Sequence, residues 1–329
     1  MKLIMSAAAA AIIASIASLA GEPTAAQAQT PSMQNPIGPT FMVLGSNSGP
    51  GPNPTRAQPA NLVQYGSQKI LVDVGDGASG QLGKAGVGLG QIDTVIISHL
   101  HFDHTGGLFA FLGQRYQLLQ DQPLSIYGPR GTRALVASLV AGIGASIEGP
   151  NDMRAFAPGD PGASITVVEL DDGATFDVDG IHVVAIKNSH FSATKNGDDP
   201  NFASLSFRFE APGRSIVYTG DTGPSPAVEA LAKNVDLLVS EIMDPDILMQ
   251  QTRAALPGAP QAQLDRIDAH FRRQHLSPES VGLMASRSGA RSLVLTHNAL
   301  PDSAIASAGH EISNHFAGPT YFAADLDEF

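Results

Sequence analysis

Short apolar runs rich in β-branched residues recur along this chain, and each ends at a polar or glycine-containing turn. Phe41-Met-Val-Leu44, Lys69-Ile-Leu-Val-Asp73, Thr94-Val-Ile-Ile97, Ile181–Lys187, Arg214–Thr219 and Ser292–Thr296 are of this kind. Such runs predict short buried strands, and Asn61–Tyr65 lies between the first two. Ile126-Tyr-Gly-Pro-Arg-Gly131 reads as a strand turning into a helix. From Gly45 to Pro59 the chain is too rich in Gly, Pro and Asn for regular structure. The texture changes between Asp244 and Gln274. There Ile247–Leu256 and Gln261–Arg273 carry helical periodicity and are split by Pro257-Gly-Ala-Pro260, which predicts an inserted helical hairpin over residues 244–274. In His275-Leu-Ser-Pro-Glu279, Ser277 is placed to cap a helix starting at Pro278, with Glu279 in its first turn. Strands interleaved with helices predict an α/β domain.

The first residues set an expectation about compartment. Met1-Lys2-Leu3 precedes the Ala-rich apolar run Ile4–Ala20, and Ala26-Gln27-Ala28 has the small-x-small form of a cleavage site. Residues 1–28 therefore read as a secretory signal, with a mature chain starting near Gln29 and a flexible Pro-rich leader over 29–39. A membrane anchor is the other reading, but Gly21-Glu22-Pro23 interrupts the run before any stop-transfer charge. The expectation is a periplasmic or secreted protein without stable membrane insertion after cleavage. The absence of cysteine is compatible with export. With 43% hydrophobic content over the whole chain, residues 40–329 are long enough for a single α/β core. The net charge of −12 disfavours polyanions, because nucleic-acid binding rests largely on neutralising phosphates.

The candidate chemistry is concentrated in Ser98-His99-Leu100-His101-Phe102-Asp103-His104-Thr105-Gly106-Gly107, directly after a predicted strand. Buried imidazole without a partner is costly. Three imidazoles and a carboxylate in one turn are satisfied together by a divalent cation, since these are the ligands Zn²⁺ takes when thiolate is absent. On an extended segment His99 and His101 point the same way, while Asp103 and His104 can aim at a neighbouring position. His190, Asp221 and His297 each follow a later predicted strand, so they too fall at strand ends, where α/β proteins build sites.

This H-x-H-x-D-H cluster resembles the signature of the metallo-β-lactamase superfamily. The resemblance implies a four-layer αβ/βα sandwich with two metals, Zn²⁺ or else Mn²⁺ or Fe. It places His99, His101 and His190 on one metal, Asp103, His104 and His297 on the other, and Asp221 between them. Asp103 and His275 are the implied catalytic residues, with His275 as a proton donor or oxyanion contact outside the metal shells. Asp73 and Asp76 match a strand-end motif that organises neighbouring loops. Asn47 and Arg56 are candidate substrate contacts on the loop after the first strand. His182, His270, His310 and His315 are read as ordinary surface or core residues.

The Gly45–Pro50 loop, the Gly128-Pro129-Arg130-Gly131 turn and His275 resemble the ribonuclease Z-like and arylsulfatase-like branch. Ser240-Glu241-Ile-Met-Asp244 departs from the ribonuclease Z signature. Together with export and acidity, that departure implies an exported binuclear hydrolase using a metal-bound hydroxide on a small-molecule phosphodiester or sulfate ester. Its expected partner is that ester and no nucleic acid, with homodimer formation left open. A carbonyl hydrolase (lactonase or β-lactamase-like) is the alternative. Ribonuclease Z-type RNA processing and a non-catalytic binding relative come after it.

Overall fold

The computed structural model describes residues 38–147, 159–192 and 202–329. The expected signal and nearly all of the leader lie outside the described residues. The first half runs β1 (Thr40–Gly45), β2 (Ala60–Tyr65), β3 (Gln68–Val74), α1 (Ala78–Lys84), β4 (Thr94–Ile96), α2 (Phe102–Thr105), α3 (Leu108–Gln117), β5 (Leu124–Gly128), α4 (Thr132–Ile147) and β6 (Ile165–Glu169). The second half begins with β7 (Thr175–Val178), β8 (Ile181–Lys187), β9 (Leu205–Ala211), β10 (Arg214–Tyr218), α5 (Pro226–Leu231) and β11 (Leu237–Ile242). It closes with α6 (Pro245–Ala255), α7 (Gln261–Gln274), α8 (Pro278–Ser288), β12 (Leu293–Asn298), α9 (Asp302–Ser313) and β13 (Thr320–Phe322).

The strands form two sheets, one ordered β1-β2-β3-β4-β5-β6 and the other β13-β12-β11-β10-β9-β8-β7. Each is antiparallel on one side and parallel on the other: β3 to β6 and β10 to β13 run parallel. Phe41, Val72, Ile96, Phe207, Ile216 and Val294 belong to the apolar layer between the sheets. A second layer packs the first sheet against α1, α3 and α4 through Leu82, Phe111 and Val136. A third packs the other sheet against α5, α8 and α9 through Val228, Met284 and Ile312. The result is the αβ/βα sandwich that the motif implied.

This layering explains the continuous apolar runs. A central strand covered on both faces has no solvent side, so alternation disappears. All six residues of β11, Leu-Leu-Val-Ser-Glu-Ile, are buried, including a serine and a glutamate whose burial needs polar partners. Parallel strands also bring their C-terminal ends to one edge. His99, Asp221 and Glu241 all sit at or just beyond such ends, as does His190 after β8. His297 differs from the sequence expectation: it lies within β12, at φ 43°, rather than after it. Among the described residues, no helix is long and apolar enough to cross a membrane.

Candidate metal centre

The loop from Ser98 to His101 leaves β4 extended, and His101 becomes the N-cap of α2 at φ −61° and ψ 149°. The turn is tight because Gly107 abuts the chain after β3, where a Cβ would stand 2.2 Å from the Gly75 carbonyl oxygen. Two groups of potential ligands result. His99, His101, His190 and Asp221 form one, and Asp103, His104, Asp221 and His297 the other. In the first, His99 Nε2 and His190 Nε2 stand 3.0 and 3.2 Å from His101 Nδ1, and Asp221 Oδ2 is 3.8 Å from His99 Nε2. In the second, Asp221 Oδ1 is 3.2 Å from His104 Nε2 and 3.3 Å from His297 Nε2, while Asp103 Oδ2 is 3.3 Å from His297 Nε2. Asp221 thus offers one carboxylate oxygen to each group. All seven residues predicted as ligands are brought together.

The outer contacts orient these rings. His104 Nδ1 lies 2.8 Å from Asp73 Oδ2, His190 Nδ1 3.0 Å from the Gln274 carbonyl and His99 Nδ1 3.1 Å from Ser98 Oγ. Donation from Nδ1 leaves the Nε2 lone pair facing the cluster, the arrangement that ligating histidines adopt. Asp73 also accepts from Ser98 N, Ser98 Oγ and Tyr218 Oη. It is wholly buried and organises the loops as expected, whereas Asp76 is exposed.

Electrostatics fit a cation. Burial pushes His99 well down and His190 down to about 3, keeping both in the neutral, ligating form. Burial opposes the charge on Asp103 and Asp221, but the surrounding histidines outweigh it and hold both carboxyls below the usual range. Burial likewise opposes protonation of His297, yet Asp221 and Asp103 raise it to about 9, and Asp221 and Asp73 raise His104. His104 Nε2 and Asp221 Oδ1 are buried and face each other at 3.2 Å, yet neither makes a well-directed hydrogen bond. Orphaned atoms on converging ligand residues are what a cation would satisfy, so the residues fit the metals implied by the motif.

His275 lies outside both ligand groups but lines the cavity above them, a space of about 440 Å³. Its Nδ1 is 2.7 Å from Glu241 Oε2, and Thr222 N donates to Glu241 Oε1 at 2.5 Å. Burial pushes His275 down to about 4 and the Glu241 carboxyl well up. Glu241 is the functional residue that sequence reasoning missed. It stands inside the stretch taken as a departure from ribonuclease Z, and the available signal was a carboxylate within an otherwise buried run. His270, read as an ordinary helical residue, also lines the cavity, although it joins neither ligand group.

Other candidates do not line that cavity. Asn47 is buried and its Nδ2 donates to the backbone of Ser48 and Gly51, so it shapes the loop. Arg56 donates to the Asn298 carbonyl. The turn at Gly128–Gly131 is tied to Glu169, which accepts from Gly131 N and Arg133 N, and Arg130 itself is exposed. His182 pairs with Asp177, and His315 with Glu311.

Comparison with known proteins bears on this geometry. Residues 68–298 match the beta-lactamase superfamily domain model. The chain is 33% identical to ribonuclease Z of Mycobacterium avium (strain 104) over 262 residues, 78% of this chain and 84% of that protein. Ribonuclease Z of Mycobacterium marinum is 31% identical over the same share. Among solved structures, the metallo-beta-lactamase fold protein YhfI from Bacillus subtilis aligns at TM-score 0.63 and 18% identity, over 89% of this chain and 99% of that one. The short form of human tRNase Z aligns at 0.59 and 23%, over 88% and 98%.

These relatives correct two expectations: a hydrolase of small phosphodiesters or sulfate esters, and a partner set without nucleic acid. The curated proteins that match most of the chain are named for action on RNA. The error is physical in origin. Net charge sums the whole surface, whereas a polyanion meets one site, and cations held there change its local sign.

Proposed function

The chain belongs to the metallo-β-lactamase superfamily, in its ribonuclease Z-like branch, and from that premise we propose that this metal-dependent hydrolase cleaves a phosphodiester bond in RNA, with tRNA precursors as the substrate class. What supports the reading most is the relation to ribonucleases Z along 78% of the chain, joined to a site whose Glu241–His275 pair stands beside both ligand groups.

In this reading His99, His101 and His190 hold one cation and Asp103, His104 and His297 the other, with Asp221 shared. Two Zn²⁺ ions would supply Lewis-acid stabilisation of the phosphoryl charge and a water of lowered pKa. The chain's own residues do the rest. Asp103, beyond its ligand role, sits where it can orient the attacking water. His275 takes up the Glu241 proton at Nδ1 as its Nε2 proton passes to the departing ribose oxygen. Glu241 is left as a carboxylate, hydrogen-bonded by Thr222 N and His275 Nδ1. The 2.7 Å contact sets the imidazole in the orientation this relay needs.

The test is cleavage of a precursor tRNA transcript by metal-loaded protein, with Asp221→Ala as control. A defined cut at the 3′ side of the acceptor stem, absent from the control, is expected. Metal-loaded protein that leaves the transcript intact while turning over small esters refutes the proposal.

The first residues carry a separate proposal: residues 1–28 are a secretory signal removed on export. Intact-mass analysis after expression of the full chain should find a protein starting near Gln29. Full-length protein in the cytoplasm refutes this, and recovery only in membranes favours an anchor.

A further inference from the structure

We propose that Phe102 is a stacking platform for an unpaired nucleobase beside the bond that is cut, an inference that rests on the RNA-cleaving reading above. Phe102 is 71% exposed, more than any other large apolar side chain among the described residues. A lone exposed phenylalanine is ordinary on a protein surface, so exposure alone carries little. Its place carries more. Phe102 is the first residue of α2, directly between His101 and Asp103, one from each ligand group. Its main chain is pinned: its carbonyl accepts from Gly106 N at 2.6 Å, and the His101 carbonyl accepts from His104 N at 3.1 Å and from Thr105 Oγ1 at 3.1 Å. The ring rests against Gly106, where a Cβ would come within 3.0 Å of it.

A second observation is independent of exposure. Phe102 lines the same cavity of about 440 Å³ as His101, Asp103, Asp221 and His297. That cavity is also lined by Leu248 of α6 and Phe271 of α7, so apolar surface surrounds the ligand residues. The rim is completed by the loop after β1. Gly49 approaches the Asp103 carboxylate so closely that a Cβ would meet it at 2.0 Å.

The occupant must put an anionic phosphate at the ligand residues and a flat apolar group against a ring fixed next to them. A nucleotide does this, because base and phosphate are joined through one sugar. Every base has a π-face, so the platform would be tolerant of sequence and would select an unpaired position over a paired one. A hydrolase of simple phosphate esters has no use for such a ring.

The test uses metal-loaded protein and a hairpin RNA with a single-stranded 3′ tail, in which an abasic residue is walked one position at a time. Phe102→Ala should raise KM roughly 5- to 150-fold, the fold-change of losing one base–aromatic stack, with the loss on KM more than kcat. Fluorescence anisotropy in a His275→Ala background, where the RNA stays intact, should show the same loss in Kd. One abasic position should cost the wild type a similar factor and cost Phe102→Ala nothing further. Phe102→Leu should behave like the alanine variant, and Phe102→Trp should restore binding. Metal content is measured on each variant, and the leucine and tryptophan pair decides if the alanine variant loads poorly. RNA bound equally by wild type and Phe102→Leu overturns the platform alone, as does a loss that adds to every abasic position. Wild-type protein that neither binds nor cuts the RNA overturns the functional reading and the platform with it.

Discussion

Asp73→Asn should uncouple the second ligand group from the fold. The Asp73 carboxylate accepts four hydrogen bonds: Ser98 N at 2.7 Å on Oδ1, and Ser98 Oγ, His104 Nδ1 and Tyr218 Oη, each at 2.8 Å, on Oδ2. The residue sits at φ 59°, a conformation asparagine tolerates, so the substitution tests chemistry rather than backbone. If the amide nitrogen replaces Oδ2, the two hydroxyls can rotate and accept from it. His104 Nδ1 must then give up its proton, and the imidazole carries it on Nε2, facing Asp221. If the amide flips, its NH₂ opposes Ser98 N and leaves that buried donor unpaired, a penalty of about 1–3 kcal/mol. The first orientation removes the orienting acceptor of His104, and the second leaves it a neutral amide oxygen in place of a carboxylate, so either way the support of His104 weakens. Outer-shell losses of this kind cost about 10–100-fold in metal affinity, or ~1.4–2.7 kcal/mol. Competition of the metal-free protein against a chromophoric chelator reads this directly, and one of two Zn²⁺ equivalents should weaken. Asp73→Ala is the harsher control: removing the buried acceptor should destabilise the metal-free protein by about 3–5 kcal/mol in denaturant titration. An Asp73→Asn protein holding both equivalents with wild-type affinity would refute the argument.

Asp221→Ala should abolish binuclear loading and nearly all turnover, read by elemental analysis beside an activity assay. Retained loading would show that Asp221 does not join the two groups. His275→Ala should leave metal content unchanged and lower turnover by roughly 10²–10⁴ on substrates with poor leaving groups, with p-nitrophenyl esters affected much less. Equal losses on both would retire the proton-donor role. Because the carboxylates raise His104, and His297 to about 9, both carry protons at neutral pH in the metal-free state. Zn²⁺ binding should therefore release them, which calorimetry in buffers of different ionisation enthalpy measures. The same shifts give metal-free stability its alkaline limb: the His297 contribution is full below about pH 6.5 and is lost as pH rises through about 9. His190, held down to about 3, acts oppositely and costs stability as pH falls below about 6.5. Thermal melts of the metal-free protein should peak near pH 6.5, and a flat profile would contradict both assignments.

Much of the fold was legible because burial on both faces writes a plain signal. Ile181–Lys187 matches β8 residue for residue, and Pro245–Ala255 and Gln261–Gln274 bracket the helical pattern read between Asp244 and Gln274. Elements without that signal were missed or read only in part. In β6 the residues Ile165-Thr-Val-Val-Glu169 are exposed or half-buried at the end of their sheet, so apolar burial does not mark them. Of α4, Thr132–Ile147, only the start was read, from the turn ending at Gly131: small and apolar residues are spread around the helix, and its periodicity is weak. β13 is three residues long and lies at the other sheet's end.

At the site, residues with one chemical use were legible and residues with a shared one were not. Three histidines and an aspartate in one turn have few purposes besides a cation. Glu241 and Tyr218, by contrast, read as strand residues, because their meaning lies in what the sheet brings opposite them: His275 from 34 positions away for one, Asp73 from 145 for the other. The same limit explains the substrate error. Ligands follow from local spacing, but the choice of ester follows from the walls of the cavity, which α2, α6, α7 and the loop after β1 assemble from distant segments. A whole-chain charge of −12 could not stand in for those walls. The acidic groups that matter here, Asp103 and Asp221, are the ones a cation would neutralise, so the charge that seemed to exclude RNA includes part of what would bind it.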